Sequence, residues 1–519
     1  MGLLRSTFTV SSMTMLSRIL GLARDMVFTR LFGAGMGTDA FLVAFKIPNF
    51  LRRLFAEGAF SQAFVPVLTE YKTQRDENEV ADLTAHVAGT LAGILFILTL
   101  IVVVASPILV MVFAPGFIGQ QEKLDLTAQM LRVTFPYILF ISLTALAAGV
   151  LNSYGRFGIP AFTPVLLNIS LIACALWLAP HMTEPVTALA WGVFIAGIVQ
   201  LAFQLPFIAR LGLLKRPRWG WKHSGVRRVM KLMLPGIFGS SVMQINLLFD
   251  VLIASFLVTG SVTWLYLSDR MVELPLGIFG IALATVILPN LSEKHARSDP
   301  NGFSLMLDWA LRWVLIIGLP SAVGLAVLAL PILTTLFLYG DFAATDVQMA
   351  SISLWAYSFG LLGFILVKVL APGYFARQDT KTPVRIGIIA MIVNMLCNVI
   401  FVFGMLKLNI DGAHAGLALA TTVSALLNAG LLLRGLKKDG VYRVQAGWMK
   451  LCVQTGFAAL IMASVLVWLM GADSLWQASS AMERAGRLTG LVSLGSVSYF
   501  AVLWLLGWRF ASLRRPKDG

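Results

Sequence analysis

The chain has 519 residues, 58% of them hydrophobic and only 13% charged, with a mean hydropathy of +0.83. No water-soluble domain of this size is so apolar, which leaves an all-α polytopic membrane protein. The net charge of +15 does not signal nucleic acid, because the basic residues stand in short loops between apolar runs; Cys174, Cys397 and Cys452 lie inside such runs, which argues against disulfides and a cysteine metal site.

Apolar stretches of spanning length recur about fourteen times. They predict helices near 4–33, 38–70, 85–114, 128–152, 161–180, 186–210, 230–258, 262–291, 305–338, 347–374, 384–405, 413–436, 448–471 and 486–508. Arg5 precedes a Ser/Thr-rich first helix with no compact apolar core and no small-residue cleavage site, so no cleavable signal peptide is expected. Helix 1 carries Arg18, Arg24, Asp25 and Arg30. A charge at the bilayer centre costs about 2.5–3.5 kcal/mol on insertion scales, so these groups face protein or a water-filled cavity rather than lipid. Arg18 and Arg24 fall on different faces of a straight helix, and a bend at Gly21 would aim both inward. Arg30, near the outer end, reads as a snorkelling interface residue.

Helix 2 carries a polar stripe. Asp39, Lys46 and Arg53 recur at i, i+7, i+14, and Asn49, Arg53 and Glu57 at i, i+4, i+8; Arg52 widens the stripe. One reading is a set of internal ion pairs that tie helices together. Arg and Lys outnumber Asp and Glu over residues 17–62, however, and the surplus points to an anionic ligand. Gly33, Gly35 and Gly37 precede the stripe but lack the Lys-Ser/Thr of a phosphate loop. Further along, Asp250 lies in helix 7 and Asp269, Arg270 and Glu273 lie in helix 8. Asn394 and Asn398 sit at i, i+4 on helix 11, with Thr421 and Thr422 in helix 12. Two readings stand for Asp250, Asn394, Asn398 and Thr421: a hard-cation site suited to sodium, or an interhelical hydrogen-bonded patch. The five histidines show no metal-ligand spacing. No nucleophile stands with a base, so the chain does not read as an enzyme.

Lys and Arg concentrate in alternate loops, which puts both termini in the cytoplasm and makes the helix count even. The longest loop, 211–229, is a basic, Trp-containing connector expected on the membrane surface. The chain also repeats itself. The Pro66 and Pro289 motifs are 223 positions apart, and the Thr-Pro-Val motifs at Pro164 and Pro383 are 219 apart. Two near-equal offsets on one membrane side imply a parallel duplication of six helices: an N-lobe over 1–210 and a C-lobe over 230–437, with helices 13 and 14 (448–512) added outside the repeat.

The motifs Arg18-x5-Arg24-Asp25, Phe32-Gly33-Ala34-Gly35-x3-Asp39-Ala40-Phe41 and Phe45-Lys46-Ile47-Pro48-Asn49-Phe50-Leu51-Arg52-Arg53-x3-Glu57-Gly58-Ala59-Phe60 closely resemble the MurJ (MviN) family of lipid II flippases. So do Ser268-Asp269-Arg270, Leu288-Pro289-Asn290-Leu291-Ser292 and Lys368-Val369-Leu370-Ala371-Pro372. The resemblance spans the chain. It implies the multidrug/oligosaccharidyl-lipid/polysaccharide exporter superfamily, two six-helix lobes around a cavity, and a lipid-tail groove at helices 13 and 14. It implies a cargo of lipid II in the bacterial inner membrane and cavity roles for Arg18, Arg24, Asp39, Arg52 and Arg270. In some members sodium sits between helices 7, 11 and 12, where Asp250, Asn394 and Asn398 fall; one acidic position of that pattern is here the neutral Asn398. Substrate contacts are thus expected at Arg18, Arg24, Asp25, Asp39, Lys46, Asn49, Arg52, Arg53, Glu57 and Arg270. No bound cofactor is expected, and a sodium gradient or the membrane potential would drive transport. Lipid II and membrane lipids are the expected partners of a monomeric chain, with cell-wall synthesis proteins beside them and no nucleic acid. A membrane glycosyltransferase consuming lipid II would need a large outer loop, and the outer loops are short. A drug/cation antiporter of the same superfamily would need acidic rather than Arg-rich charge in the first lobe.

Overall fold

The computed structural model describes residues 2–53 and 60–509, with their side chains except at 2–8, 235–244 and 281. All regular structure among these residues is helical. In chain order the helices are α1 (Gly2–Phe32), α2 (Met36–Leu51), α3 (Ser61–Gln74), α4 (Glu77–Val104), α5 (Ser106–Phe113), α6 (Gln121–Thr134), α7 (Tyr137–Ser153), α8 (Gly158–Ala173), α9 (Thr187–Ala209) and α10 (Ser224–Ala254). They continue as α11 (Ser261–Pro275), α12 (Ile281–Ala296), α13 (Pro300–Trp313), α14 (Leu319–Val327), α15 (Ala329–Phe337), α16 (Ala344–Phe375), α17 (Lys381–Lys407), α18 (Ala415–Lys438), α19 (Trp448–Met470), α20 (Asp473–Ala478) and α21 (Ala481–Leu505).

Among the described residues, 11 helical segments are long and apolar enough to cross a membrane. The other three expected spans coincide with α1, with α2 and α3, and with α10. These are heavily charged helices or ones that border or include residues outside those described.

Helix ends are set by caps rather than by hydrophobicity. Helix α4 begins eight residues before the apolar run because the Asp76 side chain accepts from the Glu79 amide at 2.8 Å, closing its first turn. Asp299 caps α13 in the same way, ahead of Pro300 at the first helical position. Ser480 and Glu483 form a reciprocal capping box at α21. Gly33, at φ 59°, makes the tight turn from α1 to α2 that a side-chain-bearing residue would strain.

The chain divides into two compact units, residues 1–263 and 264–519. In the first, α1 lies along α8, α2 along α6, and α7 and α8 both pack on α9. Phe60, Phe64, Leu68, Leu83, Val150 and Leu151 centre one core of this unit. In the second, α16 packs on α14 and α18, α17 on α18, and α19 on α21. There Trp476, Tyr499, Leu466 and Leu503 bury the α19–α21 pair against Ile316 and Leu328.

Candidate functional site

The α1–α8 pairing gives Arg24 its surroundings. Its Nε and Nη2 donate to Asp25 Oδ1 at 2.9 and 2.6 Å, and its Nη1 donates to Asn168 Oδ1 of α8 at 3.2 Å. The Asn168 amide donates in turn to the Ser17 carbonyl at 3.0 Å, which fixes its orientation from both ends. Asp25 is fully buried and the Arg24 side chain is 13% exposed. The guanidinium is therefore aimed by a carboxylate and an amide, with a small part left open.

Asp39 occupies the first turn of α2, where a carboxylate complements the helix dipole. It is 1% exposed. Its Oδ2 accepts from Lys123 Nζ at 3.1 Å and the Gly260 amide at 2.8 Å. Its Oδ1 accepts from the Thr263 amide at 3.1 Å and the Thr263 hydroxyl at 2.8 Å. Lys123, on α6, is 2% exposed and lies 4.4 Å from the Phe117 ring centroid, a cation–π contact. Asp39 thus ties α2, α6 and the turn into α11 together.

Other expected residues are more open. Arg52 donates through Nε to Asn49 Oδ1 at 2.8 Å, joining two members of the helix-2 stripe one turn apart. Lys46 and Arg18 are half-buried and Arg53 is exposed. Glu57 lies outside the described residues. Arg270 pairs with Glu273 at 3.0 Å, both partly exposed, and Asp269 is exposed. Arg30 is exposed near the end of α1. In the second unit, Asn398 Nδ2 donates to Asn394 Oδ1 at 2.9 Å and Asn394 Nδ2 donates to Thr421 Oγ1 at 3.3 Å. Both asparagines are fully buried. Asp250 is half-buried near the C-terminal end of α10, in the first unit.

Several residues were not legible in advance. Lys123 had one signal, a single lysine between the acids Glu122 and Asp125. Asn168 belongs to an Asn-Ile-Ser triplet with no meaning inside a helix, and it turns out to hold Arg24. Asp308 on α13 gathers Arg312 Nε at 2.6 Å, the Tyr442 hydroxyl at 2.8 Å and Trp448 Nε1 at 2.6 Å. Buried Arg484 donates to the carbonyls of Trp476, Gln477 and Leu338.

A bundle with this many spanning-length apolar helices, and with buried charges held by specific partners, has the architecture of a polytopic membrane transporter. The family model "Lipid II flippase MurJ" matches residues 28–484. The "Probable lipid II flippase MurJ" of Vibrio cholerae serotype O1 is 49% identical over 99% of this chain and 98% of its own length. The "Lipid II flippase MurJ" of Burkholderia cenocepacia is 42% identical over 99% of each. The chain belongs to the lipid II flippase MurJ family. A solved structure described as a lipid II flippase MurJ in an inward closed conformation superposes with a TM-score of 0.79 at 27% identity, covering 96% of this chain and 98% of that one. An inward-facing MATE transporter of the MOP superfamily shares the fold, with a TM-score of 0.66 at 14% identity over 84% of this chain and 98% of its own.

Proposed function

We propose that the chain is a flippase that carries lipid II from the cytoplasmic to the periplasmic leaflet of the bacterial inner membrane by alternating access. The carrying observation is full-length membership of the MurJ family, with 49% identity to a flippase-named relative. The chemistry agrees with it. A diphosphate is best held by planar guanidinium forks, and Arg24 is presented by Asp25 and Asn168 in such a pose. Flipping makes and breaks no covalent bond, so the residues need to bind and release, not to react.

In this reading Arg18, Arg24, Lys46, Arg52 and Arg53 of the first unit contact the headgroup. Asp25 and Asn49 orient Arg24 and Arg52. Asp39, saturated by four donors, holds helices rather than cargo. Both termini lie in the cytoplasm, and α19 and α21 offer their apolar faces to the prenyl tail. Sodium or the membrane potential supplies the drive, with the Asn394–Asn398–Thr421 patch as the polar lining that an ion would use.

The test is reconstitution into liposomes with labelled lipid II and an impermeant reagent that reads the outer leaflet. Ion-gradient-dependent appearance of unaltered lipid II in that leaflet, lost in Arg24→Ala, supports the reading. Chemical conversion of lipid II, or leaflet exchange equal to that of empty liposomes, overturns it.

A further inference from the structure

The connector after α9 is fastened to α4 at close range. Its Arg218 amide donates to the Ala85 carbonyl at 3.0 Å and its Gly220 amide donates to Thr90 Oγ1 at 3.0 Å. A side chain at Gly220 would meet His86 Cβ at 2.7 Å, so only glycine lets the connector come this near. The approach brings His223 to Asp82 and His86, which stand at i, i+4 on α4. One ring nitrogen of each histidine and a carboxylate oxygen of Asp82 all lie within 4.8 Å of one another. Residue spacing could not have revealed the set, because the histidines lie far apart in the chain.

The second repeat holds a counterpart. Asp308 lies 226 positions after Asp82, close to the offsets of the sequence repeat. It too begins an i, i+4 pair, and it too fastens the segment that follows the sixth helix of its lobe. There a permanent cation joins the parts: Arg312 donates to Asp308 at 2.6 Å and to the Ala446 carbonyl at 2.8 Å. In the first repeat the position of that arginine is a histidine, and the segment's contribution is a second histidine. The carboxylate is retained and the permanent cation is not.

We propose that Asp82, His86 and His223 form a binding site for a divalent transition-metal ion of the zinc class, which fastens the connector to α4. Two imidazoles and one carboxylate, with a remaining position for water, are a donor set that zinc accepts. His86 Nδ1 lies 3.2 Å from Asp82 Oδ2 and 2.9 Å from the Asp82 carbonyl. Nδ1 is thus the His86 nitrogen that faces the carboxylate, and an ion bound there shifts the ring proton to Nε2 in place of the backbone contact. His223 Nε2 lies 3.7 Å from Asp82 Oδ2, near the about 3.3 Å ligand-to-ligand edge of a tetrahedral zinc site. The rings stack at 4.9 Å and converge on one ion by turning about χ2, a broad torsion. The Gly225 amide donates to His223 Nδ1 at 3.2 Å, so the neutral ring carries its proton on Nε2. Ion binding at Nε2 moves that proton to Nδ1 and frees the Gly225 amide, which couples the ion to the first turn of α10.

The test uses the full chain in detergent with its affinity tag removed. Zinc is titrated in competition with a chromophoric chelator, cobalt is followed by its visible absorption, and hydrogen exchange is measured over residues 215–226. The expected result is one ion per chain, slower exchange in that segment, and affinity about tenfold or more weaker in His86→Gln and in His223→Gln. His223→Cys, which supplies another zinc ligand, restores binding and shows that loss in the glutamine variants is not misfolding. Equal zinc affinity in the His86→Gln, His223→Gln double variant overturns the proposal. So does exchange in the segment that follows pH and ignores zinc.

Discussion

Asp39→Asn is expected to lower folding stability by about 3–5 kcal/mol, the cost of breaking a buried ion pair from one side. The figure follows from the partners. Asparagine keeps an oxygen for the Thr263 amide and hydroxyl, which lie at 3.1 and 2.8 Å. On the other side it sets an NH2 group against two donors, Lys123 Nζ and the Gly260 amide, now at 3.1 and 2.8 Å. Two charge-assisted hydrogen bonds of roughly 1.5–3 kcal/mol each are lost, and an ammonium that is 2% exposed is left without its carboxylate. Lys123→Met is milder, because the carboxylate keeps three of its four hydrogen bonds and methionine fills the aliphatic space. The double variant removes both charges, so it should lose less than the two single losses together, with a coupling of roughly 2 kcal/mol or more. Denaturant titration of the detergent-solubilised protein gives these values. The buried thiol of Cys174 serves as the unfolding probe once Cys397 and Cys452, which are more exposed, are changed to serine. Additive single losses, or an Asp39→Asn loss under about 1 kcal/mol, would show that the pair is solvated and refute the reasoning.

Arg24→Lys should weaken lipid II binding about tenfold or more, because a point charge cannot serve Asp25, Asn168 and a phosphate in one plane; binding to purified variants reads this out. Asn168→Leu should lower the transport rate in liposomes while insertion is kept, since it frees one edge of the Arg24 fork and leaves the charge in place. Asp308→Asn should cost about 1–3 kcal/mol, as the Tyr442, Trp448 and Arg312 donors lose their charged acceptor; thermal unfolding measures it, and no change would mean the hub is replaceable by water. Reporter fusions after Lys222, Lys294, Lys381 and Lys438 should report cytoplasm and fusions near Gly35 and Ser474 periplasm, and one clear inversion would break the duplicated-lobe reading.

The helices were legible because a bilayer demands long apolar runs, and α16 to α19 lie close to where those runs are. Their ends were less so. The polar first turns of α4 carry no apolar signature, yet Val80 and Leu83 are buried there, and the helix starts where Asp76 can cap it. The charged residues of α1 and α2 were legible as charges that lipid would not accept. Their partners were not, because sequence separation hides a contact such as Asp39 to Lys123 or Arg24 to Asn168. The same holds for His223 and His86, which no spacing rule could bring together across a connector.

Those long-range partners change the charge argument made from the first two helices. Counting residues 17–62 alone sets Asp25, Asp39 and Glu57 against the cations of the same stretch. Asp39, however, draws its counterion from α6, 84 positions away, and its other three hydrogen bonds come from uncharged donors near Gly260 and Thr263. It is therefore withdrawn from the local balance. Asp25 is committed to the arginine beside it. With Asp39 paired outside the stretch, the six Arg and Lys residues of 17–62 stand in the sequence beside two acids rather than three. On the proposed function, a multivalent anion fits such a stretch, because each added negative charge lowers the mutual repulsion of cations crowded on neighbouring turns. On the same reading, a diphosphate answers that requirement better than a neutral or cationic drug, and the pairing of Asp39 with a distant lysine then helps the stretch keep its charge.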